Sequence, residues 1–521
     1  MNYVNIQATL PLAHPQTSAI LSNKTQSIAS STQRITYMEK LSVEIIRLVI
    51  DELQLSLLDG ECPTPISRSK PHLAPYAAIS KTWQALVEDR NFAFLQIERG
   101  ELEAFSEIIA AQPHRRTCLR RIHLILSEPN GESFQSGIRF LAQLLDEWDR
   151  NVVDDLLPQL KVSITGWGET RFDDASLSQM PLMRRVTSFF SHSGMRHGTI
   201  YPDVALQIAS RMPRLETLAV QFQEPSRPLE HRRLARFQYR CQLGEALLQL
   251  QERNCLSRLK HLGLNRFGYG PLNHSFELEN VLDEEGVDRL CEAVRIFAQR
   301  STSLEKLVLI NILISPDLFR NTRIPSTTEE PTWPTIQHLF IKSNILTPSG
   351  EWLYTGSPDS IQPRWVRYRQ NSVVDFDEYS EVDDSEDDME DFPTATDMNP
   401  HHLWRTQPDP QVLEPLLLDL IGAMDRMPKL RAGLFHLAPN RNAFQGLMFQ
   451  WAQPGVRYMA EKDGKINDTP MNCRRCKFTI GNFTDWEPSK RIMADLQQWV
   501  GDGSVDFDPS TTVMTSYRSI I

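Results

Sequence analysis

The chain has 521 residues, 40% hydrophobic and 8% aromatic, which is enough to bury a sizeable core and excludes a collagen-like or wholly disordered protein. Its net charge of -11 is concentrated, because the window Asp375 to Asp391 holds 11 carboxylates and no Lys or Arg; the balanced remainder argues against a generally basic, nucleic-acid-binding surface. No apolar run approaches the roughly 20 residues that cross a bilayer, and seven scattered cysteines suit a reducing compartment, so a cytoplasmic or nuclear protein without nucleic-acid or membrane partners is expected.

Residues 1–36 are rich in Ser, Thr, Gln and Asn, carry only Lys24 and Arg34 as charged side chains, and read as a disordered arm. From Leu41 the pattern changes. Leu41, Ile45, Ile46, Val49, Ile50 and Leu53 recur at spacings of mostly three and four, which predicts a helix with one apolar stripe, started by Ser42 with Glu44 nearby. A polar insertion, Asp59 to Lys70, contains Pro63 and Pro65 and interrupts it. Helical spacing resumes at Leu73, with Ile79, Trp83, Leu86 and Val87 on one side, so two or three short helices are expected to share a small core.

Further along, a Leu-x-x-Leu-x-Leu unit recurs, beginning at Leu215, Leu259, Leu304 and Ile336, with spacings of 44, 45 and 32 residues. A weaker copy begins at Leu119 and a late one is suggested by Met427 to Leu430. Each copy reads as a short strand with alternate residues facing a core. Amphipathic helices, Val204 to Arg211, Gly244 to Glu252 and Gly286 to Gln299, precede several of them. One strand and one helix cannot bury their apolar faces alone, so such units stack. The fold class expected is α/β: a small helical domain (37–98), an irregular leucine-rich-repeat-like α/β array (99–372), an acidic disordered linker (373–398) and a closing segment (399–512) that includes a helix from Pro410 to Met424. A conventional α/β domain whose buried strands carry the same pattern is the alternative.

Motifs of catalysis are missing: there is no P-loop, no G-x-G-x-x-G, no G-x-S-x-G and no H-E-x-x-H. Cys473-Arg474-Arg475-Cys476 has the spacing for two of four zinc thiolates, but no second pair accompanies it, and the reading is surface or core cysteines. Neither metal nor cofactor is expected, and no enzyme. Ser380 and Ser385, each followed three residues later by an acid, fit an acidophilic kinase. The run His114-Arg115-Arg116 with Arg120-Arg121 reads as a helix end leading into a strand, rather than as a partner-binding patch. The polar strand residues Thr217, Lys260, Glu305 and Gln337 are individually ordinary.

Leu41 to Leu95 resembles an F-box. Leu41-Ser42-Val43-Glu44-Ile45-Ile46 is similar to the family's opening L-P-x-E-I, with Ser42 in place of Pro, and Ile79-Ser80-Lys81-Thr82-Trp83 is similar to its V-S-x-x-W helix. The Leu-rich strands that follow add a generic likeness to fungal F-box proteins. The resemblance implies an adaptor: Leu41, Ser42, Ile45, Ile46 and Val49 would dock on the Skp adaptor protein, and through it on cullin in a Skp-cullin-F-box ubiquitin ligase. The array would hold a protein substrate. The alternative is a non-catalytic scaffold whose F-box-like helices only cap the array. Exposure of Leu41, Ile45 and Val49 distinguishes the two.

Overall fold

In the computed structural model, the residues described are 41–56, 73–126, 131–150, 152, 158–166, 171–192, 200–223, 229–267, 271–323, 331–364, 400–437, 446–456, 458, 472–480 and 486–508. The expected arm (1–36), the insertion from Asp59 to Lys70, and the acidic linker (373–398) with Ser380 and Ser385 lie outside them. The chain divides into two units, Met1–Ile200 and Tyr201–Ile521, each of mixed α/β structure.

In the first unit, helix α1 (Val43–Ser56) is followed by a 3-10 turn at Ala74–Ala78 and helix α2 (Lys81–Ala93), whose N-cap Ser80 accepts from the Trp83 amide at 3.3 Å. The chain then passes directly from α2 into strand β1 (Phe94–Glu98). The ladder thus begins at Phe94, inside the stretch 37–98 expected to be helical, because Leu95 and Ile97 alternate inward and bury against the next strand. Strands β2 (Arg121–Leu126), β3 (Leu160–Gly166) and β4 (Val186–His192) follow. Each pairs in parallel with its predecessor in chain order. Helices α3 (Leu102–Ala111), α4 (Arg115–Cys118), α5 (Gly131–Asp149) and α6 (Asp174–Gln179) lie in the crossovers, as parallel pairing requires. Helix α5 buries Phe134, Ile138, Leu141, Leu145 and Trp148, which recur every three or four residues.

The second unit carries α7 (Pro202–Ala209), β5 (Thr217–Phe222), α8 (Leu229–Glu252), β6 (His261–Arg266), α9 (Arg289–Arg300), β7 (Lys306–Ile310) and β8 (His338–Ser343). The four sequence copies fall in register. Thr217, His261, Lys306 and His338 are successive partners across the strands. Leu218, Leu262, Leu307 and Leu339 therefore form one buried row, and Val220, Leu264, Leu309 and Ile341 the next. Backbone bonds at the strand entrances fix this register: the Glu216 carbonyl accepts from both Lys260 and His261 at 2.9 Å, and the Lys260 carbonyl from Glu305 at 2.8 Å and Lys306 at 2.9 Å.

After the two-stranded antiparallel pair β9 (Tyr354–Thr355) and β10 (Gln407–Pro408), helix α10 (Pro410–Asp425) leads to β11 (Ala432–Leu437), parallel to β8. The late copy ending at Leu430 thus opens a real strand. Strand β12 (Leu447–Ala452) is antiparallel to β11, because the short connection from Leu437 to Leu447 leaves no room for a crossover, and β13 (Arg475–Ile480) is antiparallel to β12. Helix α11 (Lys490–Val500) returns the chain for β14 (Ser504–Asp508), parallel to β13.

Helix α8 starts at Leu229, well before the expected Gly244. Gly244 sits where α8 meets α9, and a Cβ there would lie 2.9 Å from the Arg289 carbonyl oxygen. Gly433, on β11, is tighter still: its register partners are Leu339 and Trp451, and a Cβ would land inside the Trp451 indole. Gly433→Ala is expected to destabilise the protein by about 1–3 kcal/mol through overpacking, read as a lower urea midpoint; an unchanged midpoint would show that Trp451 has another place to go.

Candidate functional site

Helix α1 has two apolar sides with different fates. Ser42 accepts from the Ile45 amide at 3.4 Å and its carbonyl accepts from Ile46 at 3.0 Å, so it serves as the helix start that the sequence pattern assigns to it. The Glu44 carboxyl is held below its ordinary pKa by the backbone amide it accepts from and by the Ser42 side chain. One turn further, Ile46 and Ile50 enter a small core with Leu73, Trp83 and Val87, and Leu41, Val49 and Leu53 pack on its margin. Tyr76 stacks on Trp83 with ring centres 6.4 Å apart.

The opposite side of α1 stays open. Ile45 is 47% exposed and Leu48 is 68% exposed. Three residues apart, they are neighbours on the helix surface, with the half-buried Leu41 and Val49 at their edge and exposed Glu44, Arg47 and Glu52 around them. Of the five residues expected to form the docking face, Ile46 is corrected: at 0% exposure it belongs to the core that supports the face. Leu48 replaces it on the surface. The helical period places Leu48 beside Ile45, but the stripe through Leu41, Ile45, Ile46, Val49, Ile50 and Leu53 leaves Leu48 out and does not separate the outer side from the inner one.

Glu88 on α2 ties the helical pair to α4 and to His114 at its start. Arg115 donates to it at 2.8 Å, Gln84 at 3.3 Å, and His114 bonds its other oxygen. Burial pushes the Glu88 carboxyl up, but these bonds outweigh it and hold its pKa below the ordinary value. The basic run is engaged within the fold: Arg115 lies over the Phe92 ring, Arg116 over Trp148 and Arg121 over Phe94. That agrees with the helix-end reading of this segment.

In the second unit, Lys260 pairs with Glu216 at 3.0 Å and Thr217 bonds the His261 ring at 3.4 Å, so these polar residues brace neighbouring strands. Burial, followed by the charge of Lys306, lowers the His261 pKa, and burial followed by Arg431 lowers that of His338. The C-x-x-C pair is split. Cys476 is buried in register with Trp451, and burial drives its thiol pKa far up, whereas Cys473 is half-exposed in the preceding turn. Among the described residues, no three His, Cys, Asp or Glu are arranged to hold a metal ion, and no helix is long and apolar enough to cross a membrane. Compared with known protein families and with curated proteins, the chain finds no match in either.

Proposed function

We propose that the chain is a substrate-recognition adaptor of a Skp-cullin-F-box ubiquitin ligase, with α1 and α2 forming a divergent F-box and the strand ladders forming leucine-rich-repeat-like arrays that hold a protein substrate. The observation that carries the reading is the open apolar pair Ile45 and Leu48 on a helix whose other side is already buried. A helix that only capped the array would bury both sides or present a polar outer face. An exposed apolar pair rimmed by charge is what a partner helix needs for an anchor. Strand order supports the array half of the reading, because within each unit successive parallel strands are nearest neighbours and each added unit extends the row.

The test is binding of the purified Skp adaptor to the full chain. Wild type is expected to bind at micromolar strength or better, and Ile45→Asp/Leu48→Asp to lose at least about tenfold, since each buried charge opposes desolvation. Both positions are exposed, so the unfolding midpoint should stay within about 0.5 kcal/mol of wild type. No binding by the folded wild type would leave the scaffold reading in its place.

A further inference from the structure

We propose that the cleft beside Arg405, in the second unit, is a binding site for a peptide carboxylate. It rests on the adaptor reading only in calling that peptide a substrate. The cleft has a volume of ≈ 500 Å³ and is lined, among the described residues, by Ser275, Glu277, Trp352, Trp404 and Arg405 with others, a size ordinary for ligand sites.

Arg405 is held in advance. Its guanidinium lies 4.1 Å from the centre of the Trp404 ring and 4.8 Å from that of Trp352. Its Nε donates to the His274 carbonyl at 3.3 Å, its Nη1 to the Tyr354 carbonyl at 3.3 Å, and its backbone amide to His274 Nδ1 at 2.9 Å. A guanidinium fixed in this way has little rotamer freedom left to lose on binding. The ring beside it adds no charge: burial and then the Arg405 cation push the His274 pKa down to about 3, leaving a neutral imidazole whose Nδ1 accepts.

Among the described residues no carboxylate lies within ion-pair distance of Arg405, although the charge of Asp409 reaches it. Arg240, Arg289, Arg320 and Arg323 of the same unit each pair with Asp or Glu. Arg405 is half-buried, bonds only neutral groups, and pairs with no carboxylate among the described residues. With Nε and one Nη1 hydrogen committed, a ligand carboxylate would accept from Nη2 and the second Nη1 hydrogen. Glu277, exposed on the same cleft, opposes added negative charge, and a phosphate dianion would meet about twice the repulsion that a monoanion meets. The two indoles offer apolar walls to the residue that carries the carboxylate. That carboxylate is either a chain terminus or an Asp or Glu side chain.

The experiment follows the indole N–H signals of Trp352 and Trp404 in the full chain, assigned with Trp352→Phe and Trp404→Phe. The probes are N-acetylphenylalanine for a terminal carboxylate, N-acetylaspartate α-methylamide for a side chain, N-acetylphenylalaninamide as the neutral control, and inorganic phosphate. At least one carboxylate is expected to shift both signals saturably, with the amide at least about tenfold weaker. Arg405→Gln should abolish the response and Arg405→Lys, which keeps the charge without the fork, should weaken it; unchanged signals from the other tryptophans report that each variant is folded. Whichever carboxylate binds tighter names the source. The proposal is overturned if neither saturates by about 50 mM, if the amide matches the acid, if Arg405→Gln responds like wild type, or if phosphate binds more tightly. The Skp adaptor is not in this assay, so the failure of one reading leaves the other standing.

Discussion

Asp288→Ala is expected to destabilise the second unit by about 3–5 kcal/mol, the cost of leaving a buried charge without its partner. Asp288 is 0% exposed and performs two tasks. Its carboxylate takes Arg240 Nη2 at 2.6 Å, and it caps α9 by accepting from the amides of Leu290 and Cys291 at 3.2 and 3.4 Å. Arg240 is only 2% exposed, so truncation takes the carboxylate away from a guanidinium that water cannot reach. Arg240 also donates to the Leu313 carbonyl at 3.0 Å, a neutral acceptor that does not replace the lost carboxylate charge. The Asp288 amide in turn donates to Asp317, which also takes the hydroxyl groups of Ser315 and Thr322, so the disturbance reaches the start of the next segment. Asp288→Asn keeps the cap and should cost less. Arg240→Met with Asp288→Leu removes both charges and should recover most of the loss. Urea unfolding of the single and double variants measures the coupling; additive losses would show that Arg240 finds another partner.

The same pair explains a gap in what the sequence reveals. Helix α8 buries Arg236, Tyr239, Arg240, Leu243, Leu247 and Leu250, a helical spacing, but the arginines break the apolar pattern and only the stretch from Gly244 stands out. Their burial depends on Asp288 and on Glu279, 3.8 Å from Arg236, carboxylates that no local window contains. Strands β5 to β8 are legible because each fills the same rows with Leu, Val or Ile. Strand β4 is not, since its buried positions include Thr187, Ser188 and Ser191 beside Val186 and Phe189. The Arg405 cleft joins residues 131 positions apart, and neither half carries a spacing signal by itself. The docking helix is the opposite case: its residues are contiguous, and only the division between Ile46 inside and Leu48 outside required packing partners to resolve.

Trp83→Ala carries the other large effect, about 3–5 kcal/mol, because the indole fills the centre of a core too small to collapse around the gap. It is 0% exposed, and its neighbours Ile46, Ile50, Leu73 and Val87 come from three separate segments that meet around it. Its Nε1–H has no hydrogen-bond partner among the described residues, so Trp83→Phe, which removes that donor and keeps an aromatic ring, should cost markedly less. The two kinds of variant separate support from contact. Trp83→Ala should abolish Skp-adaptor binding together with the helix signal of α1 and α2, although Trp83 is not on the surface. Ile45→Asp/Leu48→Asp should abolish binding and leave that signal intact. Hydrogen exchange across residues 43–56 and 81–93 distinguishes them. Fast exchange in both variants would place Ile45 and Leu48 in the core and remove the free apolar face from which docking is argued; slow exchange with full binding in Trp83→Ala would show that the face is held by something other than this core.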